Sequence, residues 1–299
     1  MKLLIFAFFL LTGLALAKPS DSFKVIGYYA SWGVEETKLS LDQLTHINYS
    51  FILPNPDGTL KPLPNPQRLK NLVKLAHQKN VKVGIAVGGW NDGDDSAFET
   101  LAASPELRAK LIAELVGLVD QYQLDGVDMD WEYPDAGDSA KNFTALIQEL
   151  DAVLEPKGKF LSAAVVSYGS KGVEKEVFAS LDMLNLMAYD GHDHGLIAQA
   201  EKSIAFWTKM GCPKEKLILG LPFYGRSPYT PYRKLLESDP TAHTKDQIDK
   251  VRYNGLSTIQ AKCRMAQEKC GGVMIWELSQ DSDGEKSLLK AIDQAIKKP

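Results

Sequence analysis

Only three of the 299 residues are cysteine, Cys212, Cys263 and Cys270. That excludes a disulfide-built scaffold and leaves the fold to rest on its core. Positive charge is not in excess: 34 Lys and Arg face 38 Asp and Glu, a formal net charge of −4. A polyanion such as nucleic acid, or an anionic membrane surface, is therefore a poor partner, whereas a neutral polymer is compatible. After residue 17 no run approaches the ~20 apolar residues that a bilayer span needs, so no membrane association is expected. No internal repeat, low-complexity tail or linker breaks the chain. The proline-rich stretch 54–66 reads as a loop, not a boundary between domains.

What is present begins with an export signal. Residues 1–17 carry an early Lys, an apolar stretch and the small-x-small ending Ala15-Leu16-Ala17, the pattern of a secretory peptide cleaved near Ala17. The mature chain, 18–299, is then expected to be extracellular or periplasmic, and monomeric. Cys263 and Cys270 are close enough in sequence either to bridge or to remain two half-buried thiols, with Cys212 left over.

Short runs rich in β-branched and aromatic residues recur at 24–29, 45–51, 82–87, 126–131, 160–166, 181–188, 216–222 and 272–278. Their continuous hydrophobicity suits parallel strands covered on both faces. Amphipathic patterns at 67–79, 105–122, 140–154, 198–209, 257–269 and 285–297 alternate with them. Eight such units predict a single-domain (β/α)8 TIM barrel. A doubly wound open sheet is the alternative that pattern leaves standing.

One strand is out of character. Residues 125–132 read Asp-Gly-Val-Asp-Met-Asp-Trp-Glu. Alternate side chains of a strand share a face, so Asp128, Asp130 and Glu132 point one way and Val127, Met129 and Trp131 the other. Like charges on one face raise the cost of ionising all of them. That is how a carboxyl is kept protonated for acid catalysis near neutral pH, and the trio is expected to titrate as a set. A solvated acidic loop fits poorly with the apolar flanks. A calcium or magnesium site fits poorly with acids in a row and not around a point.

Residues 124–134 resemble the Asp-x-x-Asp-x-Asp-x-Glu signature of glycoside hydrolase family 18, the chitinase family. Further matches follow in order: Gly27-Tyr28-Tyr29, Gly88-Gly89-Trp90, the segment 185–190 around Tyr189, Gly220 to Arg226, and Gly271 to Glu277. The resemblance covers nearly all of 18–299 and implies the barrel. It also implies that Glu132 protonates the glycosidic oxygen while the substrate's own N-acetyl carbonyl acts as nucleophile, an exception to the two-carboxylate scheme. By the same resemblance Asp130 turns toward Glu132 and holds the acetamide N–H, and Asp128 holds Asp130. Tyr189 donates to the acetamide oxygen, and Asp190 positions the sugar. No cofactor and no metal are implied.

Flat aromatic rings suit the apolar faces of pyranoses. The resemblance makes Trp276 the floor beneath the cleaved sugar and Trp90 a platform just past it. Met187, Tyr28, Phe51, Tyr133, Tyr224 and Arg226 are expected to line the same cleft. Trp131, by parity, belongs under the helices. Trp207 and Trp32 are not read as site residues. His192 and His194 form a His-x-His that can bind zinc, but a rim role is preferred. Asn48 and Asn142 fit the glycan-acceptor pattern, with Asn48 inside a strand.

The chain departs from the family at Ala86, where relatives carry a Ser whose hydroxyl reaches the acid equivalent to Asp128. A shifted pH optimum follows, with Tyr28 taking more of the load. The gap between Arg226 and Gly271 looks too short for the α+β insertion that walls a tunnel in many relatives. An open groove and endo-type cleavage are therefore expected. The leading function is a secreted chitinase acting on chitin or N-acetylglucosamine oligosaccharides. An endo-β-N-acetylglucosaminidase acting on N-glycan cores is the second reading, although such relatives often have Gln at the Met187 position. A chitin-binding lectin is the third, although such relatives usually lose the acid at Glu132.

Overall fold

A computed structural model describes residues 23–170 and 172–297; the expected export signal at 1–17 lies outside the described residues. Its parallel strands are β1 (Lys24–Ala30), β2 (His46–Ile52), β3 (Lys82–Gly89), β4 (Gly126–Trp131), β5 (Phe160–Val166), β6 (Met183–Met187), β7 (Leu217–Pro222) and β8 (Gly272–Trp276). They hydrogen-bond in sequence order into a closed ring. The register that runs from Lys24 opposite Gly272 to Gly27 opposite Ile275 shuts the ring and rules out the open sheet.

The jacket helices are α1 (Pro66–His77), α2 (Ser96–Ala102), α3 (Pro105–Tyr122), α4 (Asp138–Leu154), α5 (Val177–Ser180), α6 (Ile197–Lys209), α7 (Tyr232–Ser238), α8 (Leu256–Lys269) and α9 (Leu288–Lys297). The start of α3 shows local sequence at work. Ser104 caps it by accepting from Leu107 N–H, and Pro105 occupies the first turn, where its missing N–H costs nothing. The last helix begins at Leu288, three residues later than predicted, because the Asp281 carboxylate accepts from the N–H groups of Leu288 and Leu289 at 2.8 and 3.0 Å. β8 ends at Trp276, not 278, where Glu277 accepts from Ser279 N–H and starts a tight turn.

Two apolar cores result. One lies between barrel and helices and takes Val127, Met129 and Trp131. The other fills the barrel interior with Ile26, Tyr28, Ala86, Phe160, Met183, Ile218 and Met274. Strand parity decides which core each residue joins.

All three cysteines are free and buried, and burial pushes each thiol up to about 12. Cys263 lies on α8 and Cys270 just past its end. Seven helical residues rise ~10 Å, beyond the reach of a disulfide. Between β7 and β8 the chain forms α7 and two antiparallel pairs, Tyr224–Gly225 with Thr230–Pro231 and Gln247–Ile248 with Val251–Arg252.

Candidate active site

β4 delivers the acids as its parity requires. Asp128 and Asp130 are buried in the barrel interior, and Glu132 follows at the rim. On the opposite face Trp131 stacks on Phe98 with centroids 5.2 Å apart, and its Nε1 donates to Asp95 at 2.9 Å.

The two aspartates have opposite surroundings. Asp128 accepts from Tyr28 Oη at 2.7 Å, Ser162 Oγ at 2.5 Å and Asn185 Nδ2 at 2.9 Å. Those donors stand on β1, β5 and β6. The Oδ1 atom of Asp130 is buried with no hydrogen-bond partner. The expected grip of Asp128 on Asp130 is therefore not a hydrogen bond here: the hydrogen bonds of Asp128 go to three other donors, and the pair is linked by charge. Burial raises Asp128 to about 6, opposed by those donors. Burial, then the charges of Glu132 and Asp128, push Asp130 well above the carboxylate range. Burial lifts Glu132 to about 7, with a Tyr133 hydrogen bond opposing and the Asp190 charge adding.

Small residues make the room. Gly88 has φ +110°, and a Cβ there would lie 2.2 Å from the carbonyl oxygen of Asp130. At Gly89 (φ +86°) a Cβ would meet the Phe51 ring at 2.8 Å. Gly88 thus lets β3 pass close to the acid strand, and Gly89 leaves room for the Phe51 ring. On β7, Gly220 leaves space for the ring of Tyr189, whose Cε1 would stand 2.8 Å from an added Cβ.

Tyr189 follows β6 with its ring buried, and its hydroxyl donates only to the thioether of Met274 at 3.7 Å. Asp190, left-handed at φ 62°, is fixed from several sides. Its Oδ1 accepts from Tyr224 Oη at 2.5 Å and pairs with Arg226 Nε at 2.8 Å. Its N–H donates to His194 Nδ1 at 3.0 Å. Burial would raise this acid, but the hydrogen bond from Tyr224 and the Arg226 charge hold it below the usual range. His194 is itself buried, with Nε2 donating to the Tyr224 carbonyl at 3.1 Å. Both its ring nitrogens thus serve the protein, while His192 is exposed.

These groups face a cleft of about 1240 Å³ at the C-terminal ends of the strands. Tyr28, Phe51, Trp90, Asp130, Glu132, Tyr133, Met187, Tyr189, Asp190, Arg226 and Trp276 all line it. Trp276 stacks on Phe51 at 5.4 Å and meets Tyr28 edge-on at 5.8 Å. Asp128 lies beneath the lining. Tyr224 is a correction: it is buried and outside the lining, because its hydroxyl turns inward to hold Asp190.

Trp32 is the reverse correction. It is 67% exposed and lines the cleft, on a loop whose Ser31 carbonyl accepts from Asn65 at 2.7 Å and Arg68 at 2.8 Å. The sequence assigns no site role to Ser162, nor to Asn185, although Asn185 opens the matched segment 185–190. Their signal was a lone polar residue on the interior parity of an otherwise apolar strand. Trp207 is buried in α6, where Nε1 donates to backbone carbonyls, and Asn48 is buried on β2.

The family model described as glycosyl hydrolases family 18 matches residues 24–281. Probable chitinase 10 of Drosophila melanogaster is 29% identical over 280 residues, covering 79% of this chain and 12% of its own length. Probable chitinase 2 of the same organism is 32% identical over 248 residues, covering 68% and 50%. The chain thus spans half the length of these curated relatives or less. The crystal structure of a chitinase from Bacteroides thetaiotaomicron matches with a TM-score of 0.84 at 29% identity, over 92% of this chain and 97% of that one.

Proposed function

This chain belongs to glycosyl hydrolases family 18, and from that we propose that it is a secreted chitinase cutting β-1,4 bonds between N-acetylglucosamine units. The observation that carries the reading is a matched pair of unused groups. Asp130 Oδ1 is a buried acceptor without a donor, and Tyr189 Oη is a buried donor with only a thioether to meet. Leaving such groups unpaired is costly. An acetamide supplies both missing partners, its N–H for Asp130 and its C=O for Tyr189.

The chemistry follows from that pose. Glu132, held protonated by burial, gives its proton to the glycosidic oxygen as the bond to the anomeric carbon breaks. The acetamide oxygen closes on that carbon from the opposite face, forming an oxazolinium ion. The Asp130 carboxyl accepts the acetamide N–H, which holds the carbonyl in line for attack and offsets the positive charge that develops on the closing ring. Glu132, now ionised, takes a proton from water as it opens the ring, so the configuration is retained.

Trp276 is the floor for this sugar, and Trp90 the platform beyond the cut. Of the segment between β7 and β8, Arg226, close to its start, is the one residue among the lining residues. Trp90 and Trp32 are 59% and 67% exposed. These features favour an open groove and endo-type cleavage. Residues 1–17 act in this reading as the export signal of a monomeric enzyme. Among the described residues no helix is long and apolar enough to cross a membrane.

The test compares chitin oligosaccharides with a high-mannose glycopeptide, using wild type and Glu132→Gln. We expect turnover of the oligosaccharides with the β-anomer as first product, and loss of turnover by ~10²-fold or more in the variant. Turnover of the glycopeptide alone would transfer the assignment to N-glycan cores. Tight binding by wild type without turnover would make the protein a lectin.

A further inference from the structure

Strand register sets Asp128 between Ala86 on β3 and Ser162 on β5. All three are fully buried. Ala86 has no donor to offer, so the neighbour on one side contributes nothing. On the other side Ser162 Oγ donates to Asp128 Oδ1 at 2.5 Å. The remaining donors, Tyr28 and Asn185, are tied to each other as well, since Asn185 Nδ2 also donates to Tyr28 Oη at 3.1 Å. Ser162 is the one donor whose hydroxyl serves Asp128 independently of that pair.

We propose that Ser162 is a positioning residue that keeps Asp128 the ionised member of the acid trio, so that protons reside on Asp130 and Glu132 beside the cleft. A short hydroxyl-to-carboxylate bond favours the charged acceptor. Among the described residues neither aspartate is paired with a cation, so the one with three donors gives up its proton first and the one with an unpartnered Oδ1 keeps its own. The resulting charge behind Asp130 then helps to hold the outer proton. The groups facing Asp128 agree with this. Tyr28 on β1 donates to it, and Tyr189 after β6 stands nearer Asp130; burial pushes both phenols well above their ordinary range. Asp130 and Glu132 stand on its own strand, with Asp190 further out. Its neighbours on β3 and β5 do not titrate.

The activity readout rests on the chitinase reading; a second readout does not. The pH dependence of kcat/KM is measured for wild type, Ser162→Ala, Ser162→Cys, and Ser162→Ala combined with Ala86→Ser. Loss of the hydroxyl moves the acid limb up by about one pH unit, the scale of one hydrogen bond to a charged group. The basic limb moves down, so the profile narrows. Ser162→Cys keeps the volume but donates weakly, and behaves the same way. Ala86→Ser returns a hydroxyl from the other flanking strand and restores the limb. Unmoved limbs in the folded Ser162 variants, or no rescue, overturn the proposal in favour of a packing role. In parallel, carboxyl carbon NMR follows Asp128 in wild type and Ser162→Ala without substrate. A midpoint that rises in the variant supports the proposal even if wild type turns over nothing, a result that would sink only the chitinase reading. A midpoint that stays put overturns the proposal even in an active chitinase.

Discussion

The hydroxyl of Tyr189 ends 3.7 Å from the sulfur of Met274, a weak acceptor for a buried phenol. Removing that hydroxyl therefore disturbs little in the free protein and withdraws a donor only from bound substrate. Tyr189→Phe is expected to lower kcat by about 10²-fold, the scale of losing one preorganised donor, with KM and thermal stability nearly unchanged. Steady-state kinetics on a chromogenic chitobioside measure it. Full kcat in the variant would remove the acetamide from this position.

The acids predict a mildly acidic optimum. Glu132 must carry a proton to act, so activity is lost as pH rises through about 7. Asp128 must be ionised, so activity is also lost as pH falls below about 6. A kcat/KM profile across this range is expected to be a narrow bell whose limbs belong to the coupled trio. A maximum in alkaline solution contradicts the assignment of Glu132 as acid.

The same shift affects stability. The folded value for Glu132, about 7, lies above its ordinary 4.5. Between those values the native state binds more protons than the unfolded chain, so stability is full below the lower value and declines as pH rises through the upper one. Glu132→Gln abolishes that decline. The variant is expected to exceed wild type by roughly 3 kcal/mol above the upper value and to match it below the lower. Urea denaturation in mildly acidic and mildly alkaline buffer tests this; an equal gain at both points to a different cause.

Trp32 gives the clearest prediction about chain length. Its indole is 67% exposed at the cleft rim, 6.5 Å from Phe51, and so contributes little to folding. Trp32→Ala is expected to raise KM for the longer oligosaccharides about tenfold, from the loss of one aromatic platform. The shortest substrates and the melting temperature are expected not to change. An equal effect on all lengths would mean that the ring acts by shaping the loop and not by contacting sugar.

Much of this site was legible in the chain. Side-chain parity has a period of two residues, so the shared face of Asp128, Asp130 and Glu132 and the opposite burial of Trp131 could be read directly. The alternation of strand and helix patterns indicated the barrel. Sequence did not decide whether Tyr224 faces sugar or braces Asp190, because both uses ask for the same aromatic with a hydroxyl. It also gave no weight to Trp32, which lies beyond the strand pattern, on a loop aimed by Arg68 and Asn65.

The sequence by itself determined the order of the elements, the face each strand presents and the residue types at the cleft, because all of these are local. Tertiary structure alone decided the partners of the inner acid. Tyr28, Ser162 and Asn185 lie 100, 34 and 57 residues from Asp128, and what brings them to it is the closure and register of the barrel. Ala86 made the sequence look short of a hydroxyl; the ring of strands supplies one from the other side.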